Sequence, residues 1–391
     1  MKRHAIATGL SVFLFILMGL HPYGHGHQAG QPASANDNET TVAPGSTANI
    51  PVPGGVHDAG LTKFLTDGLL RHNIPNAVVL WVENGNLVCQ FTGSHPDMAG
   101  VSPVDPDRSL FRIGSVSKPF TGLAALSMVE DGLLDLDADI NQYMKVPLIR
   151  YRFGKHITVR HLMTHTAGFD DFYINKSTRN MSDLPAFEES VRSMLPAQSI
   201  APGEVSTYSN YGVALLGYVM EQALKKPFDE IVGERLFRPL GMTESNFKAD
   251  SSMFPRIVSG WYSHSGEMRS APFDHIKDVP AGQMLTTAND MLRFMQLVTA
   301  TGELAAEQQE IQALWHRATS MQFTHHPKLH GGWGFLWHLS SCLFAILSAS
   351  ITGISWDGVS DHPPGFSDSP TALRAACSED PHHGRQTAAR T

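Results

Sequence analysis

The chain predicts an α+β fold, with a mostly helical subdomain inserted into a sheet domain. Three observations lead there. Two β-rich runs meet at Asn84-Gly85, a mostly helical block with long loops runs from Ser115 to about Lys226, and mixed signals return after it. The 391 residues are 42% apolar and 17% charged, a globular composition long enough for a sizeable core. The formal net charge of −8, with no basic run, argues against a broad nucleic-acid footprint.

The N-terminus reads as an export signal. Lys2 and Arg3 precede the charge-free apolar run Ala5 to Leu20, and Ala33-Ser34-Ala35 offers a small-residue cleavage site. An uncleaved membrane anchor is the alternative, because the run is only a little short of a span. Residues 1–35 are thus assigned to signal and leader, and 36–55, rich in Gly, Pro, Asn and Thr, to a linker. His21, His25 and His27 cluster in the leader and are taken as solvated. Cys89, Cys342 and Cys377 are too few for a disulfide framework and too far apart for a zinc pair, so the core must hold the fold.

Folded sequence begins with a helical pattern near Leu61 to Leu70. VVLWVENGNLVCQF follows as two strands, since Asn-Gly tolerates the positive φ angles of a tight hairpin turn. Thr287-Ala288-Asn289-Asp290 has a capping-box pattern and opens the apolar helix MLRFMQLV.

FRIGSVSKPFTGLAALSMVEDG carries the first candidate chemistry. Serine is a weak nucleophile until a base takes its proton, and lysine is such a base only when burial or a neighbouring cation lowers its pKa. Three residues apart on a helix, Ser115 and Lys118 share one face, at a terminus whose free N–H groups favour a developing oxyanion. Pro119 is tolerated this early in a helix. Leu123, Leu126 and Val129 are expected to pin the helix to the core. The spacing alone is weak, because Ser245 and Lys248 repeat it with no helix behind them.

In PGEVSTYSNYGVALLGYVMEQ, Tyr208 precedes a helix capped by Ser209 or Asn210. Its hydroxyl can shuttle a proton if Lys118 holds its pKa down, and Asn210 can orient the lysine or a substrate amide. Tyr173 and Asn175 have the same spacing in a polar loop and are discounted. A metal hydrolase built on His161, His165, Asp170 and Asp171 is a rival, but it lacks an H-E-x-x-H glutamate, and Thr166-Ala167-Gly168 breaks the helix. The G-x-S-x-G elbow of an α/β-hydrolase is also missing.

Taken in order, GSVSK, HLMTHTAGF, PGEVSTYSNYG, FRPLGMTES and PAGQMLTTANDM resemble the serine β-lactamase and penicillin-binding protein family, in its class C-like branch of esterases and peptidases. The resemblance runs from about Ile74 to Trp337, and the domain is placed at 56–337. It implies a β-lactamase/transpeptidase-like fold: an antiparallel sheet flanked by helices, with a helical insertion and acyl transfer in the cleft between the two. By motif match it makes Ser115 the nucleophile, Lys118 its proton partner, and Tyr208 with Asn210 the second motif. The expected substrate is a small molecule or peptide: a β-lactam, a D-amino-acid peptide or a short ester. No cofactor is implied.

The family's third motif, Lys-Thr-Gly or His-x-Gly on a late strand, is not found after Trp337. Ser350-Ile351-Thr352-Gly353 has isoleucine where the base belongs, and His330-Gly331-Gly332 comes too early. Residues 338–391 are therefore expected to be an atypical tail. Our hypothesis is a shifted frame or a truncated gene, prompted by the abrupt change to Ser-, Pro- and His-rich text; it fails if no such motif appears when the gene is read in its other frames. A catalytically impaired, merely binding relative is the alternative function.

Overall fold

A computed structural model describes residues 59–171, 174–265, 267–326 and 332–339, together with the backbone of Val12–Met18. The 36–55 linker, the leader histidines, Tyr173, and the tail from 340 onward lie outside the described residues.

The main sheet is antiparallel, with β1 (Val12–Met18), β2 (Asn76–Glu83) and β3 (Asn86–Ser94) in the order β1-β2-β3. The expected hairpin joins β2 to β3: Asn84 and Gly85 both take positive φ, 49° and 80°, the twist that a two-residue loop needs between right-twisted strands. Every residue of β2 is buried. Ala77, Val79 and Trp81 pack with residues of α1 (Ala59–Arg71), while Val78, Leu80 and Val82 join the main core. This period-two division places helices on both faces of the sheet. On its other edge β2 pairs with β1, from Val12 opposite Glu83 to Met18 opposite Ala77. Those seven residues lie inside the run expected to be an export signal.

Short strands tie the rest together. β4 (Phe111–Arg112) leads into α2 (Ser117–Glu130), and α3 (Val159–Met163), β5 (Ser177–Thr178), α4 (Phe187–Ser193) and α5 (Asn210–Leu224) follow. Then come α6 (Phe228–Val232), α7 (Arg238–Leu240), the hairpin β6 (Gly260–His264) with β7 (Glu267–Ala271), β8 (His275–Ile276), α8 (Val279–Gly282) and β9 (Leu285–Thr286). α9 (Ala288–Thr299), α10 (Ala306–Ala318), β10 (Gly332–Trp333) and β11 (His338–Leu339) complete the described elements. β4 pairs with β9, β5 with β8 and β10 with β11, all antiparallel. Among the described residues no helix is long and apolar enough to cross a membrane.

α2 lies at the centre, against α5, α6, α8 and α10. The sequence predicted one apolar face, but Ser117 to Leu126 are buried without interruption and Val129, expected in the anchor, is only half-buried. A helix covered on all sides needs apolar residues all round, and its polar ones must find partners. Phe120 anchors it, with ring centroids 4.5 Å from Phe294 and 6.0 Å from Phe237. The α9 cap is half a capping box. Thr287 Oγ1 accepts from the Asp290 N–H at 3.2 Å, while the Asp290 carboxylate accepts from Ser245 Oγ and the Glu244 N–H.

Candidate active site

Gly114, with φ +54°, opens a single 3₁₀ turn, Gly114–Val116, that feeds α2. Ser115 is exposed in this turn, whereas Lys118, three residues on, is buried. Three polar side chains latch this end of α2 to the α8 region. Thr121 Oγ1 donates to the Pro280 carbonyl at 2.7 Å, and Lys118 Nζ donates to the Ala281 carbonyl at 2.7 Å. Ser117 Oγ donates to the Gly114 carbonyl at 2.6 Å and accepts from the Met284 N–H at 3.2 Å.

Lys118 Nζ also lies 3.0 Å from Ser115 Oγ, and Ser115 Oγ is 2.8 Å from Tyr208 Oη. Burial lowers the Lys118 pKa to about 7, against the opposing pull of Asp278 and Asp171 and with help from Lys176. A neutral amine at this position has a lone pair for the serine proton while one of its N–H groups still donates to Ala281. Its nitrogen stands 4.8 Å from the centroid of the Tyr208 ring.

Tyr208 is delivered by the segment Thr164 to Phe169. Gly168 takes φ +76°, and a Cβ there would sit 1.9 Å from the Ile200 carbonyl oxygen, so only glycine lets the two strands of chain meet. The Ser199 N–H donates to the Gly168 carbonyl at 2.9 Å, the Gly203 N–H to Thr166 at 2.9 Å, and the Thr207 N–H to His165 at 2.8 Å. Ser209 then caps α5, its Oγ accepting from the Gly212 N–H at 3.0 Å. Of the two candidate caps in the sequence, serine is the one used. Asn210 becomes the first helical residue.

Ser115, Lys118 and Tyr208 therefore converge. Asn210 lies next to them in sequence but turns elsewhere: its Nδ2 donates to Asp171 Oδ2 at 2.9 Å, and no hydrogen bond joins it to Lys118 among the described residues. Asp171 in turn holds Lys176 at 2.6 Å, and Lys176 lies 3.8 Å from Asp278, whose carboxyl burial pushes up. Sequence reasoning missed this largely buried cluster, in which Asp278 is buried and its partners are half-buried, as well as Thr121 and the α8 carbonyls. The Ser-x-x-Lys-x-x-Thr repeat along one helical face was the available signal for Thr121.

The decoy motif separates as expected. Ser245 is buried, 2.8 Å from both Thr286 Oγ1 and Asp290 Oδ2, while Lys248 is exposed. The metal rival loses its geometry: His161 Nδ1 accepts from the Thr158 N–H at 3.1 Å at the start of α3, and His165 follows the helix end with φ +56°. No cluster of three or more His, Cys, Asp or Glu able to hold a metal is found among the described residues.

A family model described as Beta-lactamase matches residues 58–367. The chain belongs to the β-lactamase family. The match runs past Trp337, where the sequence motifs end. Protein flp of Staphylococcus aureus (strain N315) is 26% identical over 242 residues, 59% of this chain and 47% of that protein. Penicillin-binding protein 4 of Amycolatopsis lactamdurans is 26% identical over 235 residues, 58% of this chain and 60% of that one. The chain thus spans about half the length of the curated relatives it matches. The crystal structure of D-alanine carboxypeptidase AmpC from Burkholderia cenocepacia superposes with a TM-score of 0.57 at 25% identity, covering 74% of this chain and 76% of that one. The fold of the family is β-lactamase/transpeptidase-like, in keeping with the helices, antiparallel sheet and short strands described above.

Proposed function

We propose that Ser115 is the acylated nucleophile, with Lys118 and Tyr208 as its proton-transfer partners. The observation that carries this is the continuous contact from Lys118 Nζ through Ser115 Oγ to Tyr208 Oη, at 3.0 and 2.8 Å, on a lysine whose pKa burial has lowered to about 7. In the first step the Ser115 oxygen bonds to the acyl carbon and its proton passes to the Lys118–Tyr208 pair. The same proton then goes to the leaving group as its bond to carbon breaks. Water repeats the sequence in the second step, releasing the acid and restoring the serine. Asn210, held by Asp171, is read as shaping the cleft beside Tyr208.

The acyl donor we assign is a β-lactam, a D-amino-acid peptide or a short ester. The names of the penicillin-binding protein and D-alanine carboxypeptidase relatives support the first two. Export is part of the same proposal, resting on Lys2, Arg3 and the apolar run behind them. Intact-mass spectrometry after exposure to a fluorophosphonate, and separately to a penicillin, tests the reading. An adduct that disappears in Ser115→Ala is expected; folded protein without any adduct would overturn it.

A further inference from the structure

His165 has no part in the proton path above, yet it grips the tyrosine segment at three points. Its carbonyl accepts from the Thr207 N–H at 2.8 Å, and its Nδ1 accepts from the Ser209 N–H at 3.2 Å. Between those two residues, the Tyr208 ring lies with its centroid 4.9 Å from the imidazole, tilted by 31°. Trp333 closes on the imidazole at 4.6 Å in a T-shaped contact. The same histidine therefore fixes the backbone on both sides of Tyr208 and packs against the ring itself.

We propose that His165 is the positioning residue for Tyr208: an uncharged hydrogen-bond acceptor that sets the height of the phenol over Ser115. This rests on the reading of Ser115 as nucleophile. A plain apolar ring would fill the same space at lower cost. His165 takes φ +56°, a conformation a non-glycine residue rarely holds, and its Nε2 is buried with no hydrogen-bond partner among the described residues. With Nδ1 accepting, the ring proton belongs on Nε2, so the imidazole is in its neutral form. Burial and the nearby Lys118 ammonium lower its pKa to about 3, in keeping with a permanently neutral acceptor. Such a ring adds no positive charge beside the lysine that must lose its proton.

Two substitutions separate the acceptor from the ring. His165→Asn keeps a δ acceptor and tolerates the left-handed backbone but loses the ring, whereas His165→Phe keeps a ring and leaves the Ser209 N–H without its acceptor. The readout is fluorophosphonate labelling of Ser115 in the full chain, resolved into the rate at saturating probe and the half-saturating concentration. His165→Phe should lose about a hundredfold in saturating rate with the half-saturating concentration unchanged, the effect of a misplaced group rather than a lost binding contact. His165→Asn should stay close to the parent. A parental rate in His165→Phe, or an equal loss in both variants, would overturn the proposal. If His165→Phe does not fold, His165→Asn decides alone, and a loss above about tenfold sinks the idea. A parent that labels nowhere would instead remove the Ser115 reading, and this inference with it.

Discussion

Lys118 Nζ donates to the Ala281 carbonyl at 2.7 Å, across 163 residues of sequence. That bond orients the amine so that its remaining valence faces Ser115. On the proposed mechanism, the ionisation of this one buried lysine controls the site.

The first prediction is the pH dependence of acylation. With the Lys118 pKa lowered to about 7, chiefly by burial, the ammonium form dominates below that pH and cannot accept the serine proton. Ser115 labelling should rise by about tenfold per pH unit up to that point and then level off. Stability has the same sign. Between about 7 and the ordinary lysine value of 10.5 the unfolded chain binds more protons than the folded one, so the Lys118 contribution to stability improves as pH rises through that window. Lys118→Met, of similar length and uncharged, should remove this part of the pH dependence in urea titrations and abolish labelling.

Tyr208→Phe deletes one oxygen and leaves the ring against His165 and Trp333. Labelling of Ser115 should fall by about 10²- to 10⁴-fold, the usual range for a general acid–base group. Tyr208 is 39% exposed as a residue, so the unfolding free energy should move by less than about 0.5 kcal/mol. Stopped labelling time courses and urea melts on the same preparations check both halves.

Asp171→Ala should behave in the opposite way, costing stability first. It strips the ion pair from Lys176 and the acceptor from Asn210, at side-chain exposures of only 15% and 11% for the lysine and the aspartate. Breaking one side of a buried pair costs about 3–5 kcal/mol, and Asp278, 3.8 Å from Lys176, should keep the loss at the low end. Chemical denaturation with a two-state fit measures it. A loss under about 1 kcal/mol, typical of a surface pair, would show that the cluster is solvated.

The fourth prediction concerns Val12–Met18, which pair with β2 from Glu83 back to Ala77. Removal at Ala33-Ser34-Ala35 and service as a strand exclude each other in one molecule. A chain beginning at residue 36 should be less stable than the full chain, because one edge of β2 loses its backbone partners. It should also self-associate through the bared strand edge. Urea midpoints and light scattering compare the two; equal stability and a monodisperse short form would show that the fold does not depend on the strand.

Much of this was legible in the residues. The hairpin at Asn84-Gly85 follows from backbone sterics at two adjacent residues, and the i, i+3 relation of Ser115 and Lys118 from helical geometry. Both are local, and local rules survive folding. The depth of α2 was not legible: alternating Gly, Ala and Leu fit a one-sided or a central helix equally, and only the arrival of α5, α8 and α10 decides. Asn210 shows the same limit. Its neighbours in sequence place it beside Tyr208, but its amide is claimed by Asp171, 39 residues away. His161 and His165 suggested a metal pair because helical spacing was carried one turn too far. α3 ends at Met163, and the backbone reverses hand at His165.

The latch between α2 and α8 also bears on how the chain folds. Ser117, Lys118 and Thr121 find their partners at 280–284, some 160 residues downstream, and contacts at that separation must wait for a large loop to close. Until then Lys118 has no low-dielectric surroundings, keeps its proton, and Ser115 is an ordinary alcohol. On the proposed mechanism, Ser115 should therefore become reactive only after this long-range docking is complete. A fluorophosphonate pulse given at intervals during refolding would time that event directly, using the nucleophile as its own clock.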